Sequence, residues 1–199
     1  MGVTTRIFFG IATVLSLAPS AHAQTQEPAV QSWLKDHQTA LGLTPADVAQ
    51  WSVTSASSDK NGTRYVYIQQ HVNGLPVQGA VANFAVRHGR VVTFGNRLIK
   101  DVAAHAPCAT PGLRAADALK QAAKQLGPTA TTVRVTKTID ATTFELTPSG
   151  IASGPIRAQL VYEPVVGEGL KLAWKLAIRS NTTVHWWVVV VDATTGRII

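Results

Sequence analysis

Hydrophobic and polar positions alternate most clearly between Gly62 and Asn96. In the first run Val66, Ile68 and Val72 share one parity with Arg64 and Gln70, while Tyr65, Tyr67, Gln69 and His71 take the other. In the second, Ala80, Ala82, Phe84 and Val86 oppose Asn83 and Arg87. Period-two alternation in runs rich in β-branched and aromatic residues predicts strands with one covered face. Asn73-Gly74-Leu75-Pro76 is the first predicted turn, and His88-Gly89 is a two-residue primed turn. The stretch therefore reads as an antiparallel meander with no proline inside a run.

The flanking segments carry helical spacing. Val30, Trp33, Leu34, His37 and Leu41 form one apolar stripe that ends at Gly42. His37 on that stripe reads as a core histidine. Thr44-Pro45-Ala46-Asp47 has the form of a helix start, predicting a short helix to Trp51. Residues 52–57 predict a polar strand. After an Ala- and Pro-rich linker over 101–111, Thr110 and Pro111 predict the start of a second helix. Its stripe is Leu119, Ala122, Ala123 and Leu126, and Gly127-Pro128 stops it.

Strands are predicted over 132–138, 142–146 and 157–163, then 171–179 with Leu172, Trp174, Leu176 and Ile178 on one face. The run 185–191 is apolar on both faces, so it is either a central strand or one with a docking face. A capped helix followed by a meander occurs twice, which predicts an α+β fold of two helix-plus-antiparallel-sheet halves.

Composition supplies the address. Arg6, the apolar run from Ile7 to Leu17 and Ala21-His22-Ala23 form a secretory signal over residues 1–23, with cleavage between Ala23 and Gln24. The expected localisation is secreted or periplasmic, with no membrane span after cleavage. Of the 199 residues 46% are hydrophobic and 15% charged, which excludes a disordered chain. The net charge of +7 is scattered singly, which argues against nucleic acid as a partner. Cys108 is the sole cysteine, so no internal disulfide forms. A Cys108 thiolate capping a zinc ion in trans is the sharper reading, but no nearby charge supports it.

Catalytic motifs are missing. None of the six histidines precedes a glutamate, and there is no G-x-S-x-G elbow, P-loop or Cx2C pair. The acids are dispersed. This chain reads as a non-enzyme with no metal site. Trp186 and Trp187 are consecutive strand residues and point to opposite faces. One can join the core and the other needs cover, so the pair is a candidate partner contact.

Tyr65, Tyr67, Gln69, Gln70, Asn73, Gly74, Leu75, Pro76 and Val77, closed by Gly95 and Asn96, closely resemble the fungalysin/thermolysin propeptide motif, with its VYxQQ, NGLPV and final GN. Leu172-Ala173-Trp174, His185-Trp186-Trp187 and Val191 to Gly196 look like the PepSY-like second half of such prosegments. The resemblance implies two cystatin/PepSY-like halves, residues 24–105 and 106–199. It also implies a prodomain that inhibits a thermolysin-like metalloprotease domain and assists its folding. The zinc, the family's only cofactor, and the general-base glutamate would belong to that partner, because the catalytic domain has no counterpart here. The alternative is a freestanding PepSY-type envelope binding module unrelated to protease control.

Overall fold

The meander forms, and it is longer than its sequence pattern suggests. The computed structural model describes residues 27–127, 130, 132–182 and 184–199. Ala23, Gln24 and Pro128 lie outside them. In chain order the elements are α1 (Pro28–His37), β1 (Trp51–Ser58), β2 (Arg64–Val72), β3 (Leu75–Arg87), β4 (Arg90–Asn96), α2 (Val102–His105), α3 (Ala115–Leu126), β5 (Val135–Thr138), β6 (Thr143–Leu146), β7 (Ile156–Val165), β8 (Gly169–Arg179) and β9 (Trp186–Asp192). The fold is α+β, and the nine described strands form one mixed sheet. No described helix is long and apolar enough to cross a membrane.

One strand joins the whole. β3 pairs with β2 along one edge. Its other edge serves β4 over residues 82–87 and, through Val77, touches Tyr162 of β7 in a parallel bridge. From β7 the sheet runs to β6 and β5 on one side and to β8 and β9 on the other.

Two apolar cores follow. Val30 and Leu34 of α1 pack with Trp51, Val66, Ile68, Ala82, Phe84 and Val86 of the meander. The other core lies under α2 and α3 and includes Leu119, Ile156, Leu160, Trp174, Leu176 and Val191. It also takes in Val72, Leu75, Val77 and Ala80, so the tip of the β2–β3 hairpin is buried away from the meander's own core.

Several sequence expectations need correction. Leu75 and Pro76 belong to β3, and only Asn73 and Gly74 turn the chain, both with positive φ. Proline is tolerated inside the strand because it sits beside a bulge. The first helix stops at His37, and turns lead on to Gly42 in the left-handed region. His37 is exposed and stacks on Trp33 at 4.2 Å. The predicted helix from Thr44 is a set of turns: the local cap forms, with the Thr44 N–H on Asp47 Oδ2 and the Asp47 N–H on Thr44 Oγ1, but no helix follows it, and Trp51 opens β1. Thr110 caps nothing: α3 begins at Ala115 after Arg114. Leu126 is exposed at the end of its stripe, although Gly127 closes the helix as expected, with its N–H on the Ala123 carbonyl. The linker contains the one-turn helix α2. The strand β9 is not central: it pairs with β8 alone among the named strands, with Val189 and Val191 buried and Trp186 to Val188 exposed.

Candidate functional site

The motif residues are first of all fasteners. Between Gln69 and His71 the β2–β3 register slips, and Gly79 with φ of 71° lets β3 bend. The slip leaves carbonyls of β3 without ladder partners. The Gln69 side-chain amide donates to the carbonyls of Val77 and Ala80, the latter at 2.8 Å.

Gln70 points the opposite way and is buried. Its amide donates to the Asp47 carbonyl at 2.9 Å and the Ile99 carbonyl at 3.0 Å, and it accepts the Ile99 N–H at 2.9 Å. Asp47, also buried, accepts N–H groups from Thr44 at 2.8 Å, Asp101 at 3.0 Å and Val102 at 2.9 Å. It thus caps α2 from a distant turn. Burial alone would raise the Asp47 carboxyl, but these backbone donors outweigh it and hold the group below its ordinary range.

At the hairpin, Asn73 donates to the Tyr162 hydroxyl at 3.1 Å, and that hydroxyl donates to the Pro107 carbonyl at 2.6 Å. Gly74 N–H meets Gln50 Oε1 at 3.0 Å. A Cβ on Gly95 would sit 2.5 Å from Asn83 Oδ1, the end of an exposed side chain that can swing aside. Asn96 accepts the Leu98 N–H at 2.8 Å. Tyr65 and Tyr67 lie exposed on the outer face.

Tyr162→Phe removes the hydroxyl that ties the Asn73 amide to the Pro107 carbonyl. Both partners lie at the surface and can turn to water, so the expected loss is about 0.5–1.5 kcal/mol, read from urea denaturation. An unchanged midpoint would mean the bridge contributes nothing.

Two surfaces are open to partners. The first is a cleft of about 700 Å³ between the motif hairpin and the β7–β8 face. Ser52, His71, Asn73, Gln78, Arg157 and Lys175 are among its polar lining groups. Ser52 Oγ lies 3.0 Å from His71 Nε2, and Lys175 donates to Gln78 at 3.3 Å. Sequence reasoning missed this cleft because its walls lie far apart in the chain. On the same β7 face, burial pushes the Glu163 carboxyl above its usual range against the pull of Lys175. Glu163 Oε2 has no hydrogen-bond partner among the described residues.

The second surface is β9. Trp186 is 69% exposed, Trp187 45% and Val188 62%. The two tryptophans do point to opposite faces, but neither joins the core. Trp187 borders an apolar pocket of about 260 Å³ with Ile151, Ile178 and Leu126, the last residue of α3. Trp186 lies under the Arg179 guanidinium, 5.9 Å from its ring centroid.

Cys108 is exposed, and hydrogen bonding with Thr110 holds its thiol below the usual range. Among the described residues, no group of three or more His, Cys, Asp or Glu side chains is placed to hold a metal ion.

The fasteners coincide with a known family pattern. Residues 49–98 match the fungalysin/thermolysin propeptide motif. The match takes in every residue of the VYxQQ, NGLPV and GN signature, together with Gln50 beside the hairpin. The C-terminal stretch from Leu172 to Gly196 lies outside it. The propeptide motif is a non-catalytic element, in keeping with the structural work its residues do here. No curated protein matches the chain. Among solved structures, the chain is similar to the Bacillus megaterium YpeB C-terminal domain, at 12% identity and a TM-score of 0.36. That alignment covers 85% of this chain and 59% of the other.

Proposed function

We propose that this chain is an exported prodomain-type protein that binds a fungalysin/thermolysin-like zinc metalloprotease, inhibits it and assists its folding. It acts either within a longer precursor or in trans. The observation that carries this reading is the propeptide motif over residues 49–98, whose signature residues tie the fold together rather than perform chemistry. In this reading the chain consists of two cystatin/PepSY-like helix-plus-sheet halves, residues 24–105 and 106–199, locked by the hairpin. Zinc belongs to the partner protease, and this chain needs no cofactor. Removal of residues 1–23 leaves the protein secreted or periplasmic. Trp186 and Trp187 are partner contacts, supported by their exposure. The same exposed pair favours one alternative, a freestanding PepSY-type envelope module with a different protein partner.

The purified protein is expected to slow casein hydrolysis by a fungalysin-type protease while hydrolysing none itself. Undiminished protease activity at large excess of the chain would remove the inhibitor reading. Casein hydrolysis by the zinc-supplemented chain alone would remove the non-enzyme reading.

A further inference from the structure

The hydrogen bonds of β9 divide it into a closed half and an open half. Val190 accepts the Ile199 N–H at 3.0 Å, and the Asp192 N–H donates to Arg197 at 2.8 Å. These two residues therefore turn their backbone groups away from β8. In an antiparallel strand alternate residues present N–H and C=O to the same edge, so Trp186 and Val188 face outward too. Among the described residues no strand pairs that stretch of edge. The tail at Arg197–Ile199 closes the edge from Val190 onward and leaves the part with both tryptophans open.

Each side of this open edge has its own chemistry. On one face Trp187 borders the apolar pocket with Leu126, Ile151 and Ile178. On the other, Trp186 and Val188 are register neighbours of Arg179 and Ala177, and the same face continues through Lys175 to Arg157. The acids of this face lie away from the open edge: Glu145 is on β6 beside Arg157, Glu163 is on β7 beside Lys171, and Asp192 is at the closed end of β9.

We infer that the Trp186–Val188 edge of β9 accepts an extended, acidic segment of a partner polypeptide as an added strand. The partner's backbone would pair with the outward groups of Trp186 and Val188. Its alternate side chains would be apolar toward the Trp187 pocket and acidic toward Arg179. A second copy of this chain fits less well, because pairing two edges would bring two basic faces of two net-positive chains together. The inference rests on the partner-contact role of the two tryptophans but not on the partner being a protease. A peptide probe therefore tests it separately from protease inhibition.

The test is fluorescence anisotropy of a labelled peptide of about eight residues that alternates Glu and Val. The intact protein is expected to bind it, and binding should weaken as salt rises. Arg179→Glu and Trp186→Ala should each weaken binding about tenfold or more. A version of the peptide N-methylated on the residues that face β9 should not bind, because methylation removes the pairing N–H groups. Both substituted side chains are exposed, and matching thermal melts will verify the fold of the variants. Equal binding of the N-methylated peptide, or tighter binding of a Lys/Val peptide, would overturn the proposal. So would no binding at all, or a dimer in sedimentation that Trp186→Ala disperses.

Discussion

Replacing Asp47 with alanine is expected to destabilise the protein by about 3 kcal/mol or more. Three backbone N–H groups, that of Val102 fully buried and the other two partly so, would lose a charged acceptor at once. The effect should spread to α2, whose first turn has no local side-chain cap and depends on this carboxylate. Asp47→Asn separates charge from shape. The folded carboxyl titrates below its ordinary value of 3.8. The stability it adds is therefore complete above about pH 4 and is lost as pH falls through the lower folded value. Urea denaturation of the native protein and Asp47→Asn should show a gap near neutral pH that narrows in acid. An equal gap at both ends would mean that the charge is not what stabilises the turn.

Gln70→Leu is the second large effect. The shapes are similar, yet the substitution strands the carbonyls of Asp47 and Ile99 and the Ile99 N–H within the fold. A loss of about 3 kcal/mol is expected in guanidinium denaturation. Because Gln70 bonds the backbone of Asp47, the two substitutions share a network, and the double variant should lose less than the sum of the singles. Full additivity would show that the two ties act separately. A small loss from Gln70→Leu alone would return the second glutamine of the motif to the status of an unexplained signature.

These two residues also mark how far sequence reading reaches. Gln70 has the parity of Val66, Ile68 and Val72, so its burial was legible from alternation. Its partners were not, because Ile99 and Asp47 reach it only after the chain folds back. Asp47 read as the first-turn acid of a local helix; it does bond Thr44 locally, but the same carboxylate also takes the N–H groups of Asp101 and Val102 at the start of α2. The polar cleft was illegible for the same reason: Ser52, His71, Arg157 and Lys175 come together only across strands that are distant in the chain.

The sequence by itself determined the local elements. Side-chain alternation set the buried faces of β2, β3 and β8, the Asn73-Gly74 and His88-Gly89 pairs made the turns, and Gly127 ended α3. Each depends on neighbouring residues and backbone sterics, so each can be read in a short window. Only the tertiary structure decided that β3 joins the two cores, that Asn73 reaches Tyr162, and that β9 ends as a partly open edge. Apolar residues on both faces of a strand are compatible with a central position or an exposed rim. The difference lies in which segments pair beside it and where α3 stops. Those facts are long-range, and they leave Trp186 and Trp187 facing outward.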